Sequence, residues 1–258
     1  VLIPFTFIPS TFVSFIVKER ETHALQLQQA SGLKYVVYWC SNFCFDIISF
    51  VITALLAIII FAIFGRDEYV GSTEAFFAVF VLMMLYGASG VAGSYICSFF
   101  FDSHSTAQNI VMLVNFICGF MLVLLAYILN IIESTADAGE ALKFVFRVVP
   151  SYCLGEGILN LANRKLGESF GNSQGAFDMD VTGWPMLYMG IEFPLFMLVV
   201  LYLDSPLRRE QAHKLGEADT EDVAHLHPVD EDEDVTAERQ EIESGSRDGT
   251  DHVIVKGL

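Results

Sequence analysis

Basic residues are scarce in this 258-residue chain, where 14 Lys and Arg stand against 31 Asp and Glu for a net charge of -17. So acidic a chain is a poor match for the phosphates of nucleic acid, which we exclude as an expected partner. Charged residues of both signs make up only 17% of the sequence, whereas apolar residues make up 53% and include 23 Phe. This composition excludes a soluble globular domain and predicts a membrane protein.

Cysteines and catalytic signatures are also few. The five cysteines lack C-x-x-C spacing and lie mostly in apolar runs, which argues against a disulfide framework or a zinc site and for small core residues; they are Cys40, Cys44, Cys97, Cys118 and Cys153. No H-E-x-x-H or G-x-x-x-x-G-K-[ST] motif occurs. The sequence therefore predicts no catalytic, cofactor-binding or metal-binding residue within these 258 positions.

Five apolar segments approach or reach the length of about 20 residues that a spanning helix needs. They are residues 1–17, 36–64, 75–100, 106–132 and 184–203. We therefore expect an all-α, multi-pass integral membrane protein, with a polytopic bundle of about five transmembrane helices over residues 1–203. An odd number of spans puts the two ends on opposite sides, with the residues after 203 expected inside the cell.

A further apolar stretch, residues 140–162, is too short and too broken by Pro and Gly to span. It predicts a re-entrant hairpin, which requires protein cover because unpaired backbone is costly in lipid. Residues 204–251 are acidic and contain few aromatics, which predicts a flexible, disordered linker. Since Val1 is not an initiator methionine and the acidic tail stops abruptly, we expect a fragment of a longer protein.

Ionisable and amide side chains inside the spans are candidate positions on a substrate path. Asn42 and Asp46 belong to a polar stripe on one helical face, which we expect not to point at lipid, and Glu192 lies near the middle of the last span. The other members of the stripe are Tyr38, Ser49 and Thr53. Asp46 suits either a hydrogen bond between helices or contact with substrate. Glu192 suits either a buried acid that orients its helix or a residue that lines a cavity.

The segment between the first two spans, residues 18–32, carries charges, then two leucines, then Ser31 and Gly32. This order predicts a short helix at the membrane surface that ends on glycine. The segment suits either contact with a cytosolic partner or a solvated connector without further role.

Six phrases, in this order and spacing, resemble the A subfamily of ATP-binding-cassette transporters over nearly the whole chain. They are SFIVKERE (14–21), VVYWCSNFCFD (36–46), LYGASG (85–90), FFDSHSTA (100–107), PSYCLGEGI (150–158) and EDEDVTAERQ (231–240). The resemblance implies the second transmembrane domain of a full-length protein, an ABC-2 or type V exporter-like half. It further implies that residues 252–258 begin a truncated nucleotide-binding domain.

The same resemblance implies partners and site residues. The partners are a lipid substrate and, in the same full-length chain, the first transmembrane half and the nucleotide-binding domains, where ATP and Mg²⁺ are expected. Coupling to a nucleotide-binding domain falls on Lys18, Glu19, Arg20 and Glu21. An exoplasmic helical hairpin falls on Pro150, Gly155, Glu156 and Gly157, with Glu156 where relatives often carry a basic residue.

The function that these features predict is the transmembrane half of an ATP-driven transporter that moves lipids, with ATP hydrolysis supplied outside these residues. The full-length protein would then be an ATPase, whereas this segment has no catalytic residue of its own. The alternative is a non-transporting membrane scaffold or regulatory subunit with a degenerate ATPase.

Overall fold

A computed structural model describes residues 2–132, 136–169 and 174–205. The chain divides into two units, residues 1–205 and 206–258. The predicted linker beyond Ser205 and the predicted start of a nucleotide-binding domain lie outside the described residues. Asp204 and Ser205, which the linker prediction included, are buried and belong to the first unit.

The described residues form an all-helical bundle. Its α-helices are α1 (Leu2–Glu21), α2 (Ala24–Ala30), α3 (Tyr35–Ile63), α4 (Asp67–Val70), α5 (Thr73–Ser98), α6 (His104–Phe116), α7 (Leu122–Ile131), α8 (Ala136–Phe146), α9 (Pro150–Ser169) and α10 (Trp184–Leu203). Two π-helical turns, Ile117–Met121 and Met179–Gly183, continue directly into α7 and α10. The prediction of an all-α fold is confirmed.

Four helical segments in the described part are long and apolar enough to cross a membrane: Tyr35–Ile63, Thr73–Ser98, His104–Ile131 and Met179–Leu203. They coincide within a few residues with four of the predicted spans. The first predicted span begins at Val1, which lies outside the described residues, and its remainder forms most of α1. The protein is therefore a multi-pass integral membrane protein.

Helix α5 is the centre of the bundle and packs against α1, α3, α9 and α10. Its Gly87, Gly90 and Ser94 have the small-residue spacing that allows membrane helices to approach closely. Gly87 makes such an approach, because a Cβ atom there would overlap the Phe50 ring of α3. The largest core cluster, which includes Phe50, Leu82 and Tyr86, surrounds this contact.

The predicted hairpin is a pair of helices, α8 and α9, joined by residues 147–149. It extends to Ser169, beyond the predicted end at residue 162. Helix α9 packs on α5 and α10 and on the π-helical turn before α7, and its Tyr152, Cys153 and Leu154 are buried. Protein therefore covers one of the two hairpin helices, as non-spanning backbone at membrane depth requires.

Replacing Gly87 with Ala is expected to destabilise the protein by about 1–3 kcal/mol, the usual cost of extra atoms in a packed core. The Phe50 ring is fully buried and would have to move to admit the methyl group. Equilibrium unfolding of the full-length protein in detergent would measure the change. The matched control is Gly190→Ala in α10, where an added Cβ atom meets nothing within 4 Å. An equal loss in both variants would contradict the packing role of Gly87.

Candidate functional site

Lys18, Glu19, Arg20 and Glu21, which we call the charged quartet, form the last turn of α1. The helices alternate in direction, so the quartet lies at the same end of the bundle as the start of α3, the end of α5 and the start of α6. Three consecutive residues of the quartet each contact a different one of these helices. Lys18 is exposed, and its carbonyl accepts a hydrogen bond from the Thr22 hydroxyl.

Glu19 and Arg20 make the two more buried contacts of the quartet. The Tyr38 hydroxyl of α3 donates to Glu19 Oε2 at 2.7 Å. Arg20 donates from Nη1 to the Ser98 carbonyl at 3.0 Å and from Nη2 to the Ser98 hydroxyl at 3.1 Å. Its guanidinium carbon also lies 5.3 Å from the centre of the Phe99 ring. Arg20 thus donates to a carbonyl in the last turn of α5, where carbonyl groups lack partners within the helix. It also places a cation where the helix dipole favours one.

Glu21 contacts the N-terminal end of a helix, whereas Arg20 contacts a C-terminal end. Its Oε2 accepts a hydrogen bond from the His104 backbone N–H at 3.0 Å, at the start of α6, and lies 2.7 Å from His104 Nδ1. The backbone hydrogen bond, followed by the imidazole, lowers the pKa of Glu21 below its usual value. Burial lowers the pKa of Arg20, whose guanidinium nevertheless stays charged,. The quartet thus fixes the relative positions of four helix ends through charge-assisted hydrogen bonds.

The predicted surface helix follows the quartet directly. A turn with His23 in the left-handed region, at φ 59°, leads into α2, and Gly32, at φ 94°, follows its end. Leu25 is buried against the bundle, whereas Leu27 is exposed. One face of α2 therefore contacts the transmembrane helices, and the other is available to a partner.

Asp46, in the polar stripe of α3, lies inside the bundle. The Tyr95 hydroxyl of α5 donates to Asp46 Oδ2 at 2.6 Å. Asn42, one turn earlier, is half-buried, and its Nδ2 makes no hydrogen bond with a described residue. Thr53, later in the stripe, is exposed and donates instead to the Ser49 carbonyl. The expectation that the whole stripe avoids the bundle surface is therefore wrong, because the buried face of α3 moves around the helix, from Tyr38 and Asp46 to Ala54 and Ile58.

Glu192 of α10 is only 6% exposed, and neither carboxylate oxygen has a hydrogen-bond partner among the described residues. Its neighbour Phe193 stacks on Phe43 of α3, with ring centres 5.1 Å apart. A buried carboxylate without a partner is costly in a membrane, so this position carries a functional hypothesis. No hydrogen bond joins Glu192 to Asp46 or Asn42.

The four predicted hairpin residues have separate packing roles in α9. Pro150 begins the helix. A Cβ atom at Gly155 would lie 2.6 Å from Val123 of α7, and one at Gly157 would lie 2.7 Å from Leu82 of α5, so both glycines permit close helix packing. Glu156 accepts hydrogen bonds from Arg147 Nε at 2.8 Å and from Nη2 at 2.7 Å.

A cavity of about 400 Å³, which we call the apolar groove, lies between α1, α5, α6 and the start of α9. Gly90 and Gly93 widen it on the α5 side, and Phe100, Val114 and Phe196 give it an apolar wall. An apolar groove of this kind at membrane depth suits hydrocarbon chains. Within the described part of the chain, no cluster of three or more His, Cys, Asp and Glu side chains could hold a metal ion.

Several partners in these contacts were not predicted. Ser98, Phe99 and His104 carry no unusual local pattern, and their roles follow only from the fold. Arg147 did offer a signal, since it and Glu156 are charges of opposite sign in an otherwise apolar stretch. Opposite charges in an apolar segment favour a buried ion pair, which would have predicted this contact.

The bundle of membrane-length helices, closed at one end by charged contacts and at the other by a helical hairpin, defines a polytopic membrane domain. A family model described as ABC-2 family transporter protein matches residues 1–202. The chain therefore belongs to the ABC-2 transporter family.

Relatives in the A subfamily match the chain over its full length or nearly so. ATP-binding cassette sub-family A member 7 from Rattus norvegicus is 30% identical over 268 residues, covering 100% of this chain and 12% of the relative. ATP-binding cassette sub-family A member 2 from Homo sapiens is 28% identical over 270 residues, which cover 100% of this chain and 11% of the relative. Retinal-specific phospholipid-transporting ATPase ABCA4 from Bos taurus is 30% identical over 256 residues, which cover 95% of this chain and 11% of the relative. The resemblance to the A subfamily is thereby confirmed, and the chain spans about an eighth of the length of these relatives.

Proposed function

We propose that this chain forms one transmembrane half of an ATP-driven lipid transporter. ATP hydrolysis would occur at nucleotide-binding domains of the same full-length protein, which would also hold ATP and Mg²⁺, and the other transmembrane half would complete the path. The observation that carries the proposal is the charged quartet, in which consecutive side chains of α1 bind the ends of α3, α5 and α6.

The quartet suits the transmission of a force from outside the membrane. A push on α2 reaches α1 directly, since only residues 22 and 23 separate the two helices. From α1, hydrogen bonds pass the displacement to three further helix ends. Rigid helices with charge-assisted contacts at their ends can move as one body, which is how hinge and shear transitions transmit small displacements.

Two features support lipid as the substrate class. The apolar groove offers space for hydrocarbon beside α5, where Gly90 and Gly93 leave the helix surface open. Relatives that match the chain are named phospholipid-transporting ATPases. By the same reasoning, Asn42, Asp46 and Glu192 remain candidates for polar contact with a substrate, and the exposed face of α2 remains the candidate contact with a nucleotide-binding domain.

The test is the double variant Glu19→Ala, Arg20→Ala in the full-length protein, reconstituted into vesicles with fluorescent phospholipid. We expect lipid moved per ATP hydrolysed to fall by about tenfold, the factor equivalent to roughly 1.4 kcal/mol of lost coupling. Basal ATP hydrolysis should persist, because the quartet lies outside the predicted catalytic domains.

The matched control removes an acid and a base at the opposite end of the bundle, Arg66→Ala with Glu68→Ala. Those two side chains form an ion pair at 3.6 Å with Arg66 mostly exposed, and we expect no change in the ratio of transport to hydrolysis,. An unchanged amount of lipid moved per ATP hydrolysed in the quartet variant would refute the coupling role. The absence of ATP-dependent lipid movement in the unmodified protein would refute the proposed function itself.

A further inference from the structure

A polar pocket of about 260 Å³ lies at the hairpin end of the bundle, opposite the charged quartet. It is bounded by α8, α9, the π-helical turn before α10 and Trp184. The pocket is separate from the apolar groove, with which it shares no lining residue. None of its charged side chains is needed for the coupling contacts described above.

The floor of this pocket is a buried ion pair on aromatic rings. Arg147 and Glu156 are joined by two hydrogen bonds, and their side chains are 8% and 5% exposed. The Arg147 guanidinium carbon lies 5.2 Å from the centre of the Phe144 ring and 5.9 Å from that of Trp184. Glu156 uses only part of the donor set of Arg147, whose fixed guanidinium suits recognition of a phosphate.

The rim of the pocket carries charges of both signs. Lys143 lies one helical turn before Arg147, and the Arg147 backbone N–H donates to the Lys143 carbonyl at 3.0 Å. Glu140 and Asp180 add two carboxylates. Because Arg147 and Glu156 neutralise each other, the remaining charges of the pocket are the ammonium group of Lys143 and the two carboxylates. Such a rim repels a simple anion and suits a ligand that carries both a phosphate and a cation.

The surroundings of the pocket point to an amphiphile. Phe144 lines the pocket and is 49% exposed, and Val145 and Val148, which follow it in the chain, are 65% and 59% exposed. Trp184 begins the last membrane-length helix, and tryptophan is enriched where the bilayer meets water,. A polar pocket at that depth, next to an exposed apolar strip, matches a molecule with a charged head and a hydrocarbon tail.

We propose that this pocket binds the zwitterionic headgroup of a phospholipid. The phosphate would face Lys143 and Arg147, and the ammonium group would face the carboxylates of Glu140 and Asp180 and the Trp184 ring, which attracts cations. The acyl chains would lie along the strip of Phe144, Val145 and Val148. This inference rests on the proposed function, since it assigns a headgroup class and a position to the lipid substrate.

The test is photo-crosslinking of the full-length protein in detergent, without nucleotide, using phosphatidylcholine with a photoactivatable group near its headgroup. We expect mass spectrometry to find label on residues 140–148 and on Trp184. Lys143→Glu should reduce this labelling by about tenfold, corresponding to roughly 1.4 kcal/mol for the lost phosphate contact. Lys165→Gln, which changes a half-exposed lysine of α9 outside the pocket, should leave the labelling unchanged.

Competition separates the possible sources of the phosphate. Unlabelled phosphatidylcholine should suppress the labelling, whereas phosphatidylglycerol and inorganic phosphate should not. Suppression by inorganic phosphate alone would overturn the proposal in favour of a free-anion site, and equal labelling of Lys143→Glu and the unmodified protein would overturn it outright. Intact labelling in a protein that shows no ATP-dependent transport would support this site while refuting the proposed function.

Discussion

Replacing Arg147 with Met is expected to destabilise the protein by about 3–5 kcal/mol, the usual cost of breaking a buried ion pair by removing one partner. Glu156 accepts two hydrogen bonds from Arg147 and is almost fully buried, so the variant would leave a carboxylate without its cation. The guanidinium also packs on the Phe144 and Trp184 rings, and this contact would be lost as well. Thermal unfolding of the transmembrane domain, measured in the full-length protein in detergent, would give the size of the effect.

Two further variants test whether charge is the cause. Arg147→Met combined with Glu156→Leu removes both charges and should recover most of the stability, because an apolar pair of similar volume often replaces a buried ion pair without loss. Lys165→Met breaks the ion pair of Lys165 and Asp67, whose side chains are 47% and 69% exposed, and should cost less than about 1 kcal/mol,. If the double variant were as unstable as Arg147→Met alone, packing rather than charge would explain the loss.

The positions of the membrane-length helices could be predicted because they depend on a local property. An apolar run of about 20 residues must become a helix in a bilayer, where every backbone group needs a partner within the segment. The predicted spans at residues 36–64 and 75–100 therefore match α3 and α5 within two residues. The π-helical turn Ile117–Met121 was not predicted, because it accompanies a close approach: a Cβ atom at Gly119 would lie 2.6 Å from Thr6 of α1.

The pairs that build the candidate site could be predicted only in part. Asp46 was expected to face the interior, yet its partner Tyr95 lies 49 residues away in the sequence and has no distinguishing pattern. Arg20 binds Ser98, which is 78 residues away. The pairs of helices that contact each other are set by shape complementarity across the whole bundle. Composition alone does not predict these pairs. The coupling of the quartet to a nucleotide-binding domain therefore stays a prediction.

Replacing Trp39 with Ala is expected to cost about 3–5 kcal/mol, the range for removing a large buried aromatic side chain. Trp39 is fully buried among Tyr38, Tyr95 and Phe99, and its indole N–H donates to Asp204 Oδ2 at 2.9 Å. This hydrogen bond joins the start of α3 to the residue that follows α10, across 165 positions of the sequence. The variant would therefore lose both core packing and the hydrogen bond to the end of the last helix. Equilibrium unfolding would measure the combined loss of stability.

A more conservative variant separates the two contributions of Trp39. Trp39→Phe keeps a ring in the core but removes the donor to Asp204, and it should cost about 1–3 kcal/mol because a buried acceptor loses a partner. Tyr202→Ala, a mostly exposed aromatic of the same helix end, is the control and should change stability by less than about 0.5 kcal/mol,. Because Asp204 interacts electrostatically with Arg20 of the quartet, Trp39→Phe should also lower the ratio of transport to hydrolysis. A variant that unfolds more easily yet keeps that ratio would show that Trp39 supports the fold without taking part in coupling.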